Sequence, residues 1–175
     1  MTQEAQPPVE GEDLDPEEVY HGDKIVAILR LKDPGTPPAG TNSRVIPGGP
    51  LYDLVALQEK LRSGELDLGK DEHCYVATDS CWDDLGKLRW TTGDQVTKLL
   101  SLLKPKTAGS KGDYHKSEWC KEGDGRLSPC DAYRVRVDQF NEWKRDVNAP
   151  LYYVKFSVEE TGQIYFVLIS CHLDK

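Results

Sequence analysis

Residues 151–173, LYYVKFSVEETGQIYFVLISCHL, consist of two strongly apolar segments separated by a short turn signal. Residues 151–160 and 163–173 carry many of the β-branched and aromatic side chains that favour strands, and Thr161 and Gly162 between them are typical of a tight turn. We therefore predict a β-hairpin here. The second segment is the more apolar of the two, which indicates a strand near the centre of a sheet.

A further strand is predicted just upstream of the hairpin. Side chains alternate there between apolar and charged in the order Tyr133, Arg134, Val135, Arg136, Val137 and Asp138. A period of two gives a strand one apolar face and one charged face. The segment CYVAT, residues 74–78, is also typical of a short strand.

Two amphipathic helices are predicted on the N-terminal side of these strands. In residues 51–64 the leucines recur at helical spacing and Gly64 is a typical stop. In residues 91–103, Thr91 or Thr92 can cap the N-terminus, and Pro105 prevents continuation beyond the C-terminus. The apolar stripe of this second helix consists of Val96, Leu99, Leu100 and Leu103. Helices followed by strands predict an α+β fold, a small antiparallel sheet with helices packed on one face.

The negative charge of the chain is concentrated at its N-terminus. The formal net charge is −8, and residues 1–23 contain eight acidic side chains and no lysine or arginine. The rest of the chain is therefore neutral overall. We expect residues 1–23 to be a disordered acidic tail, 24–50 a short apolar segment followed by a Pro/Gly-rich linker, and 51–175 the folded domain.

The cysteines and the hydropathy pattern indicate a cytoplasmic protein with reduced thiols and no membrane association. The chain has five cysteines, no CxxC pair, no apolar N-terminal leader and no run of 18 apolar residues. A zinc site is an alternative, with irregularly spaced ligands drawn from His73, Cys74, Cys81, Cys120 and Cys130. We expect no metal and no other cofactor.

Residues 112–135, GDYHKSEWCKEGDGRLSPCDAYRV, combine reactive, basic and aromatic side chains. Residues 104–136 hold eight lysines and arginines against five acidic residues, an excess of three positive charges that suits an anionic ligand. An ordinary mixed-charge surface is the alternative interpretation.

Four short motifs in this region and in the hairpin occur in an order that resembles a known family. They are DYHKS (Asp113–Ser117), PCDAY (Pro129–Tyr133), YVK (Tyr153–Lys155) and ISCH (Ile169–His172). Together with the leucine-rich helix that precedes them, they resemble the motility quorum-sensing regulator (MqsR) toxins, ribonucleases of the RelE-like superfamily. The resemblance covers about residues 50–175, and Cys130 stands where the family has a glutamine.

The resemblance implies a RelE-like fold and a metal-independent endoribonuclease that cleaves mRNA. The partners it implies are RNA and a cognate antitoxin protein. In such a reaction a base removes the proton of the ribose 2′-hydroxyl, a cation stabilises the crowded phosphate, and an acid protonates the leaving 5′-oxygen.

The motifs assign roles to individual residues. Lys116 matches the lysine of the first motif and can stabilise phosphate charge or move a proton. Tyr153 can orient phosphate or stack on a base, and His172, with an ordinary pKa near 6.5, suits acid or base chemistry. His115 is the second histidine of this kind. For each of these four residues, ordinary sheet packing or a solvated surface is the alternative.

Additional cations and aromatic rings are candidates for binding the RNA. The predicted phosphate-binding side chains are Arg126, Arg134, Arg136 and Lys155. Trp119 and Trp143 are either stacking surfaces or buried core residues, and Asp131 is expected to make a structural hydrogen bond.

Two hypotheses compete with, or add to, the ribonuclease. The same fold could be a catalytically inert RNA- or protein-binding module whose acidic tail contacts a partner. Separately, residues 1–23 could cover a basic cleft and inhibit it at low salt.

Overall fold

A mixed β-sheet is the centre of the fold in the computed structural model, which describes residues 29–40, 44–160 and 163–174. Seven strands occur in these residues: β1 (Val45–Ile46), β2 (Cys74–Val76), β3 (Tyr114–Lys121), β4 (Leu127–Asp138), β5 (Lys144–Arg145), β6 (Leu151–Glu160) and β7 (Ile164–Leu173). Their order across the sheet is β1-β3-β4-β6-β7-β2, and β5 pairs with β4 outside this path.

Three helical segments with bounds among the described residues pack on the sheet. They are α1 (Leu54–Ser63), α2 (Asp79–Leu88) and α3, which starts with a π-helical turn (Thr92–Val96) and continues as an α-helix (Thr97–Leu102). The predicted α+β class is therefore confirmed. The RelE-like form of it stays a prediction.

The predicted hairpin and charged strand are confirmed. β6 and β7 pair antiparallel, and β7 lies between β6 and β2, as the apolar composition of residues 163–173 predicted. In β4, Tyr133, Val135 and Val137 are buried, while Arg134 and Arg136 are exposed. The turn residues Thr161 and Gly162 lie outside the described residues.

The prediction of a wholly antiparallel sheet is wrong at one edge. β2 pairs with β7 in parallel, with Tyr75 opposite Val167. The two strands are far apart in the chain, so no tight turn fixes their relative direction, and parallel pairing becomes possible. Helix α2 directly follows β2, and its Cys81 and Leu85 are buried in the core.

Both predicted helices are present. Asp53 caps α1 by accepting a hydrogen bond from the Ala56 N–H at 3.0 Å, and Gly64 ends it in the left-handed region with φ 77°. All four residues of the stripe predicted for α3 are buried. Thr91 precedes α3 without a side-chain cap, and its backbone N–H instead donates to Gln95 Oε1 at 2.8 Å.

Part of the segment predicted as an apolar stretch and linker lies in the core. Leu29 and Ile46 are buried, and β1 pairs with β3. Buried Asp131 fixes the chain directly after this segment, because its carboxylate accepts hydrogen bonds from the N–H groups of Leu51 and Tyr52, at 2.9 to 3.0 Å. The expected structural role of Asp131 is thus confirmed. The acidic tail stays a prediction, because residues 1–28 lie outside the described residues. The domain boundary at residue 50 also stays a prediction.

The two faces of the sheet differ in character. Tyr152, Val154 and Phe156 of β6 belong to the large core cluster that also contains the buried apolar residues of all three helices. Since side chains alternate along a strand, Tyr153 and Lys155 point to the opposite face, which we call the open face. Within the described part of the chain, no helix is long and apolar enough to cross a membrane.

Candidate functional site

Tyr153 lies at the centre of a group of polar side chains on the open face. It is 8% exposed. The His172 ring stacks on it with centroids 5.1 Å apart, and the His115 ring meets it edge-on at 6.2 Å. Arg134 and Lys155 lie over the same ring, with Cζ and Nζ at 5.9 and 5.5 Å from its centroid. Five of the eight residues predicted from sequence therefore meet at this one ring.

A β-bulge brings His115 to this face. Tyr114 pairs with Tyr133 and Lys116 with Ala132, so β3 has one residue more than β4 at this point, and that residue is His115. In regular pairing, neighbours on a strand point to opposite faces. The bulge breaks this alternation and aims a side chain in the way often seen beside functional sites.

Lys116 and Lys155 share one carboxylate. Glu118 lies between them, with Oε2 2.6 Å from Lys116 Nζ and Oε1 2.5 Å from Lys155 Nζ. Burial alone raises the pKa of Glu118, but the hydrogen bonds from both lysines outweigh it and leave the pKa below 4.5. Burial likewise lowers the pKa of Lys155, but Glu118 and neighbouring groups outweigh that and raise it. Glu118 and Lys155 are therefore both charged at neutral pH.

Arg134 is held in a similar way. Its Nε lies 2.5 Å from Asp174 Oδ2, and Asp174 in turn is anchored by its backbone N–H, which donates to the Leu151 carbonyl at 2.7 Å. Arg134 is thus fixed close to both Tyr153 and the end of β7. Its guanidinium retains N–H groups beyond the one at Nε, which can bind an anion.

The two histidines differ in their surroundings. Burial lowers the pKa of His115 below its ordinary 6.5, and the positive charges of Arg134 and Lys116 lower it further. His115 is therefore neutral at pH 7 and able to accept a proton. His172 is half-buried, and its Nδ1 lies 2.9 Å from the Leu173 carbonyl oxygen.

Two of the predicted phosphate-binding arginines lie elsewhere. Arg126 belongs to an acidic network and contacts Glu122, Asp124 and Glu159 at 3.1, 2.6 and 3.1 Å. These carboxylates satisfy its guanidinium, so Arg126 does not join the cluster around Tyr153. Arg136 is two residues beyond Arg134 on β4 and donates to the Ala149 carbonyl at 2.9 Å, in a neighbouring cavity.

Three other residues considered in the sequence analysis are buried or pack against the core. Trp119 is buried in the core, and Trp143 packs against the core with its ring centroid 5.3 Å from that of Trp90. Both therefore act as packing residues and not as open stacking surfaces. Cys130 is fully buried beneath the open face.

The cysteines do not form a metal site among the described residues. All five are free and buried there, and the described side chains contain no group of three or more potential ligands that could hold a metal ion. Burial raises the pKa of the Cys74 and Cys81 thiols to about 12, so both stay protonated at neutral pH.

Sequence reasoning missed two members of the cluster, Glu118 and Asp174. A signal for Glu118 existed, because Lys116 and Glu118 are two residues apart and share a face of a strand. Nothing comparable pointed to Asp174, whose partner Arg134 is 40 positions away in the chain.

Comparisons with known proteins do not assign a family. No family model matches the chain, and searches of curated proteins and of solved structures found no significant match. The resemblance to the MqsR toxins therefore rests on the four short motifs.

Proposed function

We propose that this protein is a metal-independent endoribonuclease that cleaves RNA on the open face of its sheet, at the cluster around Tyr153. The observation that carries the proposal is the contact of two imidazoles, His115 and His172, with a single tyrosine ring that Arg134 also covers. Two histidines and a nearby cation are sufficient for acid–base cleavage of a phosphodiester.

The proposed reaction uses the ribose 2′-hydroxyl as its nucleophile. His115 accepts the hydroxyl proton, because its lowered pKa keeps it neutral. The 2′-oxygen forms a bond to phosphorus while the bond from phosphorus to the 5′-oxygen breaks. His172, as the general acid, donates a proton to that 5′-oxygen. The products are a 2′,3′-cyclic phosphate and a free 5′-hydroxyl.

Cations and the tyrosine complete the site in this proposal. Arg134, Lys155 and Lys116 stabilise the additional negative charge of the transition state. Tyr153 orients both histidines through its ring, and its hydroxyl stays protonated because burial raises its pKa. The cognate antitoxin and the role as a toxin belong to the same proposal and are supported by the motif resemblance alone.

A second candidate function is RNA or protein binding without catalysis. The observation that favours it is the pairing of the cations, since Glu118 pairs with both Lys116 and Lys155 while Asp174 pairs with Arg134. An RNA phosphate has to compete with these carboxylates. Such a protein would bind RNA on the same face and leave it intact.

Cleavage of mixed-sequence RNA in EDTA distinguishes the two candidates. The wild type is compared with His115→Ala and His172→Ala, and the fragment ends are mapped. We expect 5′-hydroxyl ends and a loss of rate of at least roughly 100-fold in either variant, the usual contribution of a general acid or base. The control is His73→Asn, because His73 lies outside the cluster, where its Nδ1 accepts the Asp67 N–H at 3.0 Å.

When all variants are shown to be folded, the outcomes distinguish the ribonuclease from the binding module. Intact RNA with the wild type, together with measurable binding, favours the binding module. Cleavage that survives both histidine substitutions contradicts the assigned site.

A further inference from the structure

A cavity adjoins the cluster around Tyr153, on the side of Arg134. Its volume is about 420 Å³. The charged side chains that line it are Lys104, Asp113, Arg134, Arg136, Arg145 and Asp146. Four cations face two carboxylates, so the cavity carries an excess of two positive charges. Such a cavity suits an anionic group.

Two of the four cations already have carboxylate partners. Arg145 binds Asp113 through two parallel contacts, at 2.7 and 2.8 Å, and Arg134 pairs with Asp174. Arg136 and Lys104, by contrast, form no ion pair with any of the described residues. Arg136 donates only to the Ala149 carbonyl, which positions the guanidinium and leaves further N–H donors open.

The wall of the cavity is held by hydrogen bonds between separate elements. Arg145 of β5 donates to the Leu102 carbonyl at the end of α3, at 2.8 Å. Asp113, just before β3, accepts the Lys104 N–H at 2.6 Å while it binds Arg145. The site is therefore formed before any ligand arrives, which lowers the entropic cost of binding.

The cavity shares Arg134 with the proposed site of cleavage. Arg134 lines the cavity and also lies over the Tyr153 ring. Arg134 and Arg136 point to the same face of β4 and, being two residues apart on a strand, are separated by about 7 Å. A strand of RNA whose phosphate lies at Arg134 can place a neighbouring phosphate at Arg136.

We infer that this cavity binds an RNA phosphate next to the one that is cleaved, with Arg136 and Lys104 as its ligands. The inference rests on the proposed function for the identity of the polymer. The cavity recognises a phosphate and not a base, because its charged lining has an excess of two positive charges. It therefore contributes affinity without sequence preference.

Binding of an uncleavable RNA tests the inference. The ligand is a fluorescent eight-nucleotide oligouridylate with 2′-O-methyl groups, which lacks the nucleophile, and its affinity is measured by anisotropy over a range of salt concentrations. Arg136→Gln keeps a donor for the Ala149 carbonyl but removes the charge. The control is Arg62→Gln, which makes the same charge change on the exposed side of α1.

We expect Arg136→Gln to weaken binding roughly tenfold, as for loss of a charged hydrogen bond. The slope of log K against log salt should also become shallower by about 0.7, the value for one phosphate contact on a single strand. Lys104→Gln should act in the same direction, and Arg62→Gln should leave both quantities unchanged.

Failure of this inference and failure of the proposed function give different results. If Arg136→Gln binds like Arg62→Gln, or if the wild type does not bind the oligonucleotide, the cavity is not a phosphate site. If Arg136→Gln weakens binding but the wild type does not cleave ordinary RNA, the cavity stands and the ribonuclease does not. Unchanged secondary structure and thermal stability of Arg136→Gln exclude misfolding as the cause.

Discussion

His172 stacks on Tyr153 across directly paired positions of β7 and β6, with centroids 5.1 Å apart and ring planes 20° apart. This cross-strand pair places an acid–base group and an aromatic ring next to each other on the open face. Arg134 is the third residue of the same register, since it pairs with Tyr153 from β4. The hydrogen bonding of three neighbouring strands therefore fixes the centre of the cluster.

Replacing Tyr153 should separate the role of its ring from that of its hydroxyl. Tyr153→Ala removes a mostly buried ring and the surface on which both histidines rest, so we expect a loss of about 3 kcal/mol in the free energy of unfolding and a loss of RNA binding. Tyr153→Phe keeps the ring and should stay close to wild type in both. Urea denaturation and anisotropy measure the two effects. A large defect in Tyr153→Phe would mean that the hydroxyl is the essential group.

The protonation of His115 should occur below pH 6.5. Burial lowers its pKa, Arg134, Lys116 and Lys111 lower it further, and Asp174 opposes them. The folded chain therefore takes up this proton at lower pH than the unfolded chain does. As a result, the free energy of unfolding falls relative to His115→Gln as the pH drops from above 6.5 through the lowered pKa.

An NMR titration of the His115 ring checks this prediction. Arg134→Gln should move its midpoint upward, because the substitution removes a positive charge and releases Asp174. The acid limb of the pH–rate profile for RNA cleavage should shift in the same direction. Lys87→Gln, which removes a fully exposed charge on α2, is the control and should leave the midpoint in place. A midpoint at or above 6.5 in the wild type contradicts the assignment of His115 as the base.

Glu118→Gln should have opposite effects on RNA affinity and on stability. It frees Lys116 and Lys155 for phosphate, so RNA binding at neutral pH should become several-fold tighter. It also removes the carboxylate that holds the two lysines together, so the protein should unfold at lower urea concentration. Glu59→Gln is the matched control, because its exposed pair with Arg62 on α1 contributes little.

The stabilising effect of Glu118 depends on pH in a defined direction. Its pKa in the folded chain is below the ordinary 4.5. The difference in stability between wild type and Glu118→Gln is therefore fully present above pH 4.5 and decreases as the pH falls through the lowered pKa. Urea denaturation at a series of pH values measures it, and a difference that grows toward acid would refute the ion-pair explanation.

The local patterns of the sequence predicted much of the fold. Alternation in residues 133–138 and the apolar hairpin segments identified β4, β6 and β7, because a period of two is specific to half-buried strands. Helix α2 was not predicted, although Thr78 precedes it as an N-cap and accepts the Cys81 N–H at 3.2 Å. Only two of its side chains are buried, so its apolar stripe is weak.

The sequence predicted which residues belong to the site better than it predicted how these residues are arranged in space. Motif positions pointed to His115, Tyr153 and His172, which the sheet brings together. The bulge that turns His115 to the open face depends on how β3 pairs with β4, which local sequence does not encode. For the same reason Arg126 was grouped with the site, although its acidic partners hold it elsewhere.

Asp131→Ala should be among the most destabilising single substitutions. The buried carboxylate accepts the N–H groups of Leu51 and Tyr52 and lies 2.5 Å from Ser117 Oγ. Its removal leaves these donors buried without acceptors, at a cost of about 3 kcal/mol. Asp131→Asn keeps one acceptor oxygen and should lose less. Urea denaturation gives both values, and equal stability of Asp131→Ala and wild type would show that water replaces the carboxylate.

Deletion of residues 1–23 should raise RNA affinity at low salt. These residues lie outside the described residues, but they carry eight negative charges, and the cavity beside Arg136 has an excess of two positive ones. Charges interact over about 30 Å in 10 mM salt and only about 3 Å in 1 M salt. If the acidic segment competes with RNA, the deletion should strengthen oligonucleotide binding in 10 mM salt and have no effect in 1 M salt.

A variant that keeps residues 1–23 but has all eight acids changed to the corresponding amides is the matched control, and it should behave like the deletion. Unchanged affinity in both variants at low salt would show that the acidic segment does not cover the basic surface.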